Sequence, residues 1–128
     1  MTSVSTRARP WIIIAALFGA TAVLAGAFGA HGLKAILTPE QLLTWKTASS
    51  YQLVHAVLLL ALSVSMWIEL RLIRLAFGIL SVGILLFSGS LYFLLLSGSH
   101  MLVLLTPVGG LLLIVGWLLL LLAAFVLE

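Results

Sequence analysis

The side chains that could do chemistry in this sequence are few, and they lie in stretches that are otherwise apolar. Tyr51, Gln52 and His55 are close neighbours in the chain, and Ser88 and Tyr92 are four residues apart. At 100° per residue, each of these two groups falls on one face of a helix. An imidazole can exchange a proton near neutral pH, and hydroxyl and amide groups can hold a ligand. The spacing therefore predicts two polar helix faces.

Hydrolytic catalysis is not predicted. A serine nucleophile such as Ser88 or Ser90 needs a base and an acid that orients the base, but all three acidic residues lie in loops or at a terminus. The absence of cysteine excludes thiolate nucleophiles and thiolate metal ligands. His31, His55 and His100 are on different segments without carboxylate neighbours. We therefore predict no enzyme activity, no metal centre and no cofactor, with histidine ligation of haem or a metal as an alternative.

The segments that position these groups are long and hydrophobic. The 128 residues are 64% hydrophobic and 7% charged, whereas soluble domains average about 45–50% and about 25%. Four uncharged stretches are each long enough to cross about 30 Å of hydrocarbon. We predict an all-α integral membrane protein in contact with the lipid bilayer. Its single domain, residues 1–128, is a four-helix bundle with transmembrane helices at about 10–31, 48–68, 74–97 and 101–127.

The first outer loop contains a helix start. Thr38-Pro39-Glu40-Gln41 matches the capping box, with proline at the first helical position. A helix therefore begins near Pro39. Trp45 and Lys46 suit a short interfacial helix that precedes the second span, and one continuous bent helix is equally compatible with the sequence.

The cations define a topology. Four spans put both termini and the loop between the second and third helices on one side of the membrane. That side has four cations and the other has two, so the positive-inside rule predicts that both termini are cytoplasmic. The formal charge of +3 is spread over the helix junctions and forms no basic patch, so no nucleic-acid partner is predicted. The two sets are Arg7, Arg9, Arg71 and Arg74, and Lys34 and Lys46.

Polar residues on the four helices reach one depth. His55 lies fourteen residues from Glu69, and Ser88 lies fourteen residues from Arg74, which places each roughly 21 Å along its helix. We predict a polar pocket in the outer half of the bundle, bounded by all four helices. The same groups could instead serve only as hydrogen-bonding contacts between helices. The candidate pocket residues are His31, Tyr51, Gln52, His55, Ser88, Tyr92 and Thr106.

Small residues and one proline interrupt the spans at this depth. A small residue recurs every fourth position in the first helix, which lets another helix approach closely. Two glycines flank His31 and loosen the helix end. A proline followed by two glycines predicts a kink in the fourth helix. The residues assigned to packing or kinking are Ala22, Gly26, Gly29, Ala30, Gly32, Pro107, Gly109 and Gly110.

Four local patterns, GAFGAHGLK at 26–34, YQLVH at 51–55, FSGSLY at 87–92 and TPVGG followed by GW at 106–117, occur in this order. The chain thereby resembles the domain-of-unknown-function 423 family, small YgdD-like bacterial inner-membrane proteins with relatives similar to transmembrane protein 256. The resemblance implies four transmembrane helices in the bacterial plasma membrane and supplies no mechanism. The matching positions are His31, Tyr51, Gln52, His55, Ser88, Tyr92, Thr106 and Pro107.

Three functions are compatible with these features. The first is a non-catalytic accessory protein that supports a larger membrane complex, through a protein partner or further copies of itself. The second is a small transporter or ligand-binding protein that uses the polar pocket. Proton antiport through a membrane-embedded carboxylate is disfavoured, because no acidic residue lies within a span. The third is the histidine-ligated haem or metal protein.

Overall fold

The computed structural model of the protein describes residues 6–127, which fold into four long helices. They are α1 (Arg9–His31), α2 (Pro39–Val64), α3 (Arg71–Ser97) and α4 (Leu105–Val126). Short 3-10 helices precede α1 at Thr6–Ala8 and α3 at Met66–Glu69. Residues 6–127 contain no β-strand, and each of the four helices is long and apolar enough to cross a membrane. The predicted all-α four-helix architecture is confirmed.

The start of α2 has the predicted capping box. The Gln41 backbone N–H donates to Thr38 Oγ1 at 3.2 Å, and the Thr38 N–H donates to Gln41 Oε1 at 2.9 Å. The helix then continues to Val64, since no glycine or proline follows Pro39 within it. Of the two alternatives for this region, the structure has the continuous helix, and the segment expected to lie at the interface forms the first turns of α2.

The fourth helix begins later than the sequence suggests. Gly98, with a left-handed φ of 70°, ends α3, and the chain turns before α4 starts at Leu105. Pro107 is therefore in the first turn of α4, where a backbone N–H has no helical acceptor. For this reason α4 runs as one continuous helix to Val126, and the kink expected at Pro107 stays a prediction.

The helices pack in chain order, α1 on α2, α2 on α3 and α3 on α4. The α2 span is the most buried and the α1 span the least. We call the end that holds the ion pair between Arg7 and Glu69 the Arg7 end, and the opposite end the Lys34 end. Leu59, Phe77 and Leu80 are central to an apolar core nearer the Arg7 end. Side-chain hydrogen bonds from one helix to another, such as Trp45 to Ala25 and Ser88 to Ala48, lie nearer the Lys34 end.

Helices α3 and α4 approach each other backbone to backbone. A Cβ atom added to Gly109 would overlap the backbone of Leu86 and Phe87, and one added to Gly116 would overlap the Leu80 side chain. On the facing helix, a Cβ at Gly83 would lie 2.9 Å from Leu113 Cδ2. The α3–α4 interface therefore depends on glycine at these positions.

Two adjacent glycines give a matched test of this contact. We expect Gly109→Ala to lower the free energy of unfolding by about 1–3 kcal/mol, because backbone atoms of α3 cannot move aside as a side chain could. Gly110→Ala should be neutral or slightly stabilising, since its Cβ would meet Phe87 Cδ2 at 3.8 Å, an ordinary contact. Equilibrium unfolding in mixed micelles, followed by circular dichroism, measures both. Equal stability of the two variants would contradict the close approach.

Candidate functional site

Gln52 joins three helices through one side-chain amide. It is 5% exposed. Its Nε2 donates to the Phe18 carbonyl at 3.0 Å and to Thr21 Oγ1 at 2.7 Å, both on α1. Its Oε1 accepts from the Tyr92 hydroxyl of α3 at 2.8 Å. We call Thr21, Gln52 and Tyr92 the amide cluster.

The protons of the amide cluster are all engaged. A primary amide has two N–H donors, and Gln52 uses both on α1. The Thr21 hydroxyl donates to the Leu17 carbonyl at 2.7 Å, and the Tyr92 hydroxyl donates to Gln52. What remains is acceptor capacity, on the side-chain oxygens of Thr21, Gln52 and Tyr92. The cluster can therefore accept a hydrogen bond from a ligand but has no free proton to donate.

A cavity of about 320 Å³ lies beside the amide cluster, between α1, α2 and α3. All three cluster residues line it, together with Ser88, Gly89 and apolar side chains. This volume is at the lower end of the range of about 300–1,000 Å³ for small-molecule sites. Three of the predicted pocket residues, Gln52, Ser88 and Tyr92, thus face a common space.

Trp45 connects α1 to α2 near this cluster. The indole is buried, its Nε1–H donates to the Ala25 carbonyl at 2.7 Å, and its ring centroid lies 4.7 Å from that of Tyr92. A Cβ on Gly29 would lie 2.5 Å from Trp45 Cδ1. Gly29 therefore provides the space in which the indole reaches the backbone of α1.

His55 is held in one neutral tautomer. Its Nδ1 lies 2.6 Å from the Tyr51 carbonyl oxygen, and its Nε2 lies 3.1 Å from Trp117 Nε1 of α4. A carbonyl can only accept and an indole N–H can only donate, so Nδ1 carries the proton and Nε2 accepts. The Nε2 lone pair is consequently engaged, and ligation of a metal through it would break the contact with Trp117.

Two buried serines attach α3 to its neighbours. The Ser88 hydroxyl donates to the Ala48 carbonyl of α2 at 2.7 Å. The Ser90 hydroxyl donates to the Phe87 carbonyl of its own helix at 3.0 Å and lies 2.6 Å from Thr106 Oγ1 of α4. Since Ser90 has a single proton, Thr106 is the donor in that pair. Both serines thus serve helix contacts.

The structure therefore distributes the predicted pocket residues over several contacts. It brings Gln52 and Tyr92 together, whereas His55 and Thr106 each bond to a different partner. His31 is exposed at the end of α1 and joins none of these groups. Tyr51 is 47% exposed, with its ring packed against Phe87 and His55.

The small residues of α1 also differ in their surroundings. Ala22 is buried, but the Cβ position of Gly26 has no heavy atom within 4 Å and Ala30 is exposed. Gly29 contacts Trp45, and a Cβ on Gly32 would meet the Phe28 ring of its own helix at 3.4 Å. Within this chain, the ridge predicted for helix packing contacts α2 only in part.

Sequence reasoning did not predict the helix contacts of four residues, Thr21, Trp45, Ser90 and Trp117. Thr21 is the only polar side chain from Trp11 to Ala30, and that is the signal that could have identified it. Ser90 lies on the face of α3 opposite Ser88, which points it toward a different helix. Trp45 bonds to a main-chain carbonyl and Trp117 to a distant histidine, and neither leaves a local sequence signal.

Four apolar helices with buried hydrogen-bonded contacts between them define an all-α integral membrane protein. Residues 25–110 match the model of the family described as protein of unknown function (DUF423). The UPF0382 membrane protein of Staphylococcus aureus strain bovine RF122 is 40% identical over 115 residues, covering 90% of this chain and 94% of that protein.

The UPF0382 membrane protein of Haemophilus influenzae is 40% identical over 107 residues, covering 84% of this chain and 86% of that protein. No solved structure matches the chain. The chain belongs to the DUF423 family, as its sequence patterns predict. It is a multi-pass membrane protein whose molecular function the family description leaves open, and neither that description nor the relatives' names specify a catalytic activity.

The amide cluster can be tested by a double-mutant cycle. We expect Gln52→Leu to lower the free energy of unfolding by about 1–2 kcal/mol, because it removes three hydrogen bonds within the membrane. Tyr92→Phe should cost about 0.6 kcal/mol, the average for such bonds. The double variant should lose less than the sum of the two, because they share one bond.

The matched control is Thr47→Val, which removes a polar group from an exposed position of α2. The Thr47 side chain is exposed and bonds only to the Leu43 carbonyl one turn earlier. Its replacement should change the free energy of unfolding by less than about 0.5 kcal/mol. Strict additivity of Gln52→Leu and Tyr92→Phe would argue against a direct bond between the two side chains.

Proposed function

We propose that this protein is a non-catalytic accessory subunit that supports a larger complex in the bacterial inner membrane. The observation that carries the proposal is the complete pairing of its buried polar groups. Within residues 6–127, no buried side-chain nitrogen or oxygen lacks a hydrogen-bond partner. Catalytic and transport sites expose polar groups that are free to bind or transfer, whereas here such groups link one helix to another. This favours a scaffold role.

The donor set also favours this role over a haem or metal site. The described part of the chain has no group of three or more histidine, cysteine or acidic side chains placed to hold a metal ion. His55, the buried histidine, uses both ring nitrogens in bonds to Tyr51 and Trp117. Binding of a metal at His55 would therefore require one of these two bonds to break.

We propose that α1 presents the surface for the partner. This helix is the least buried span. Four of its large apolar side chains are exposed at spacings of four, seven and four residues, which places them on one face. A helix face of this kind can pack against a helix of another membrane protein. The four residues are Ile13, Leu17, Leu24 and Phe28.

The decisive experiment is purification of the full-length protein from its native membrane in mild detergent, followed by native mass spectrometry. We expect one partner protein at a fixed stoichiometry. Leu24→Trp should reduce its recovery at least severalfold by disturbing the α1 face. Leu111→Trp on α4 is the control, because Leu111 is exposed to a similar extent, 62% against 65%. Recovery of the chain alone as a monomer would refute the accessory role.

A second candidate, ligand binding or transport, is favoured by the cavity beside the amide cluster. The unused acceptor capacity of the amide cluster would suit a ligand with a hydroxyl or amine donor. Gly89 lines this cavity, and its Cβ position has no heavy atom within 4 Å, so Gly89→Leu would fill the space. A small molecule that co-purifies with the wild type and is lost in Gly89→Leu would replace the accessory role with this one.

We propose further that both termini face the cytoplasm, from the excess of cations at the Arg7 end. The chain has no cysteine, so single-cysteine variants report one site each. Met66 and Met101 lie at opposite ends of the bundle and are 83% and 75% exposed. In cells treated so that a membrane-impermeant maleimide reaches the periplasm but not the cytoplasm, the reagent should label Met101→Cys. It should label Met66→Cys only after lysis, and the reverse pattern would invert the topology.

A further inference from the structure

A groove of about 680 Å³ runs between α1 and the first half of α2 at the Lys34 end. It is separate from the cavity beside the amide cluster. Its walls are largely apolar and include Val23 on α1 and Leu42, Leu43 and Leu53 on α2. The groove is open at the surface of the bundle, between α1 and α2.

The groove is deep because of the small residues along α1. Ala22, Gly26 and Ala30 line it at every fourth position. The Cβ position of Gly26 has no heavy atom within 4 Å, so a larger side chain there would project into empty space. The groove therefore has room for an extended hydrocarbon chain lying along α1.

The mouth of the groove is cationic. Lys34 and Lys46 both line it, and they are the two cations at this end of the bundle. The ion pair found in residues 6–127 involves Arg7 and Glu69 at the other end, so neither lysine is paired with a carboxylate. Glu40 is the one carboxylate at the Lys34 end, and it does not line the groove.

We propose that this groove binds a phospholipid with an anionic headgroup. One acyl chain lies against Gly26 and its neighbours, and the headgroup phosphate is held by Lys34 and Lys46. An apolar body with cations only at its membrane-surface end is complementary to such a lipid, since basic side chains at this level attract anionic headgroups. A helix from a second copy would match the apolar body but would leave the two lysines without a counter-charge. The proposal does not depend on an accessory function.

The test is native mass spectrometry of the full-length protein released from detergent, titrated with phosphatidylglycerol or with phosphatidylcholine of the same acyl chains. We expect phosphatidylglycerol to bind at least about tenfold more tightly than phosphatidylcholine, because two cations near a membrane surface attract its anionic headgroup. Lys34→Gln with Lys46→Gln should reduce its affinity to that of phosphatidylcholine. Gly26→Leu should weaken the binding of both lipids, because the leucine occupies the site of the acyl chain.

The controls repeat each change away from the groove. Gly78→Leu inserts the same side chain on α3, where the Cβ position is also free of contacts. Arg71→Gln with Arg74→Gln removes two cations from the Arg7 end. Both controls should leave the lipid affinities unchanged. If Gly26→Leu fails to fold, Ala30→Leu tests the same volume, because Ala30 is exposed and lines the groove.

Three results would overturn the proposal. Full displacement of the lipid by inorganic phosphate would show an anion site without an acyl-chain site. Affinities unaffected by both Gly26→Leu and Ala30→Leu would show that the lipid binds elsewhere on the bundle. A dimer that excludes lipid and dissociates in Gly26→Leu would make a second copy the occupant of the groove.

Discussion

The constraint on which this fold depends is that hydrocarbon offers no water to a polar group, so each buried donor must find an acceptor in the protein. Gln52 meets the constraint with both amide protons on α1 and its oxygen on α3. These three bonds require particular depths and rotations of both neighbouring helices. Apolar helix surfaces alone would not specify these depths and rotations, because lipid is as apolar as leucine. The amide therefore specifies the relative placement of α1, α2 and α3.

Main-chain carbonyls are the acceptors that recur in this arrangement. Gln52 donates to the Phe18 carbonyl, Trp45 to that of Ala25, and Ser88 to that of Ala48. A helical carbonyl already accepts one bond along the helix and has a second lone pair available. The accepting helix consequently needs no polar side chain at the contact. It needs only residues small enough for the donor side chain to reach its backbone, as at Gly29. This explains how α1 can be almost wholly apolar and still be positioned by hydrogen bonds.

The same chemistry sets the limit of what the sequence could predict. The spans, the capping box at Thr38 and the concentration of polar residues in one half of the bundle follow from local patterns and from counting along the helices. The partners of those residues do not, because every residue of a neighbouring helix has a carbonyl that could accept. The kink expected at Pro107 assumed a helix start near residue 101, whereas α4 starts at Leu105 and Pro107 lies in its first turn. The open space at Gly26 could likewise not be predicted, because residue spacing does not specify how α1 and α2 lie relative to each other.

The contact between His55 and Trp117 limits the functions that the polar groups could perform. Protonated imidazole has two N–H donors, and the indole N–H of Trp117 faces Nε2 as a donor as well. A proton on Nε2 would therefore turn this bond into a repulsive contact and weaken the link between α2 and α4. The backbone approach at Gly109 would still hold α4 to α3, so the bundle would loosen on one side only. Proton transfer through His55 would thus require His55 or Trp117 to move in each cycle. A static structural role requires no such movement, and for this reason the geometry favours His55 as a structural contact over a proton relay.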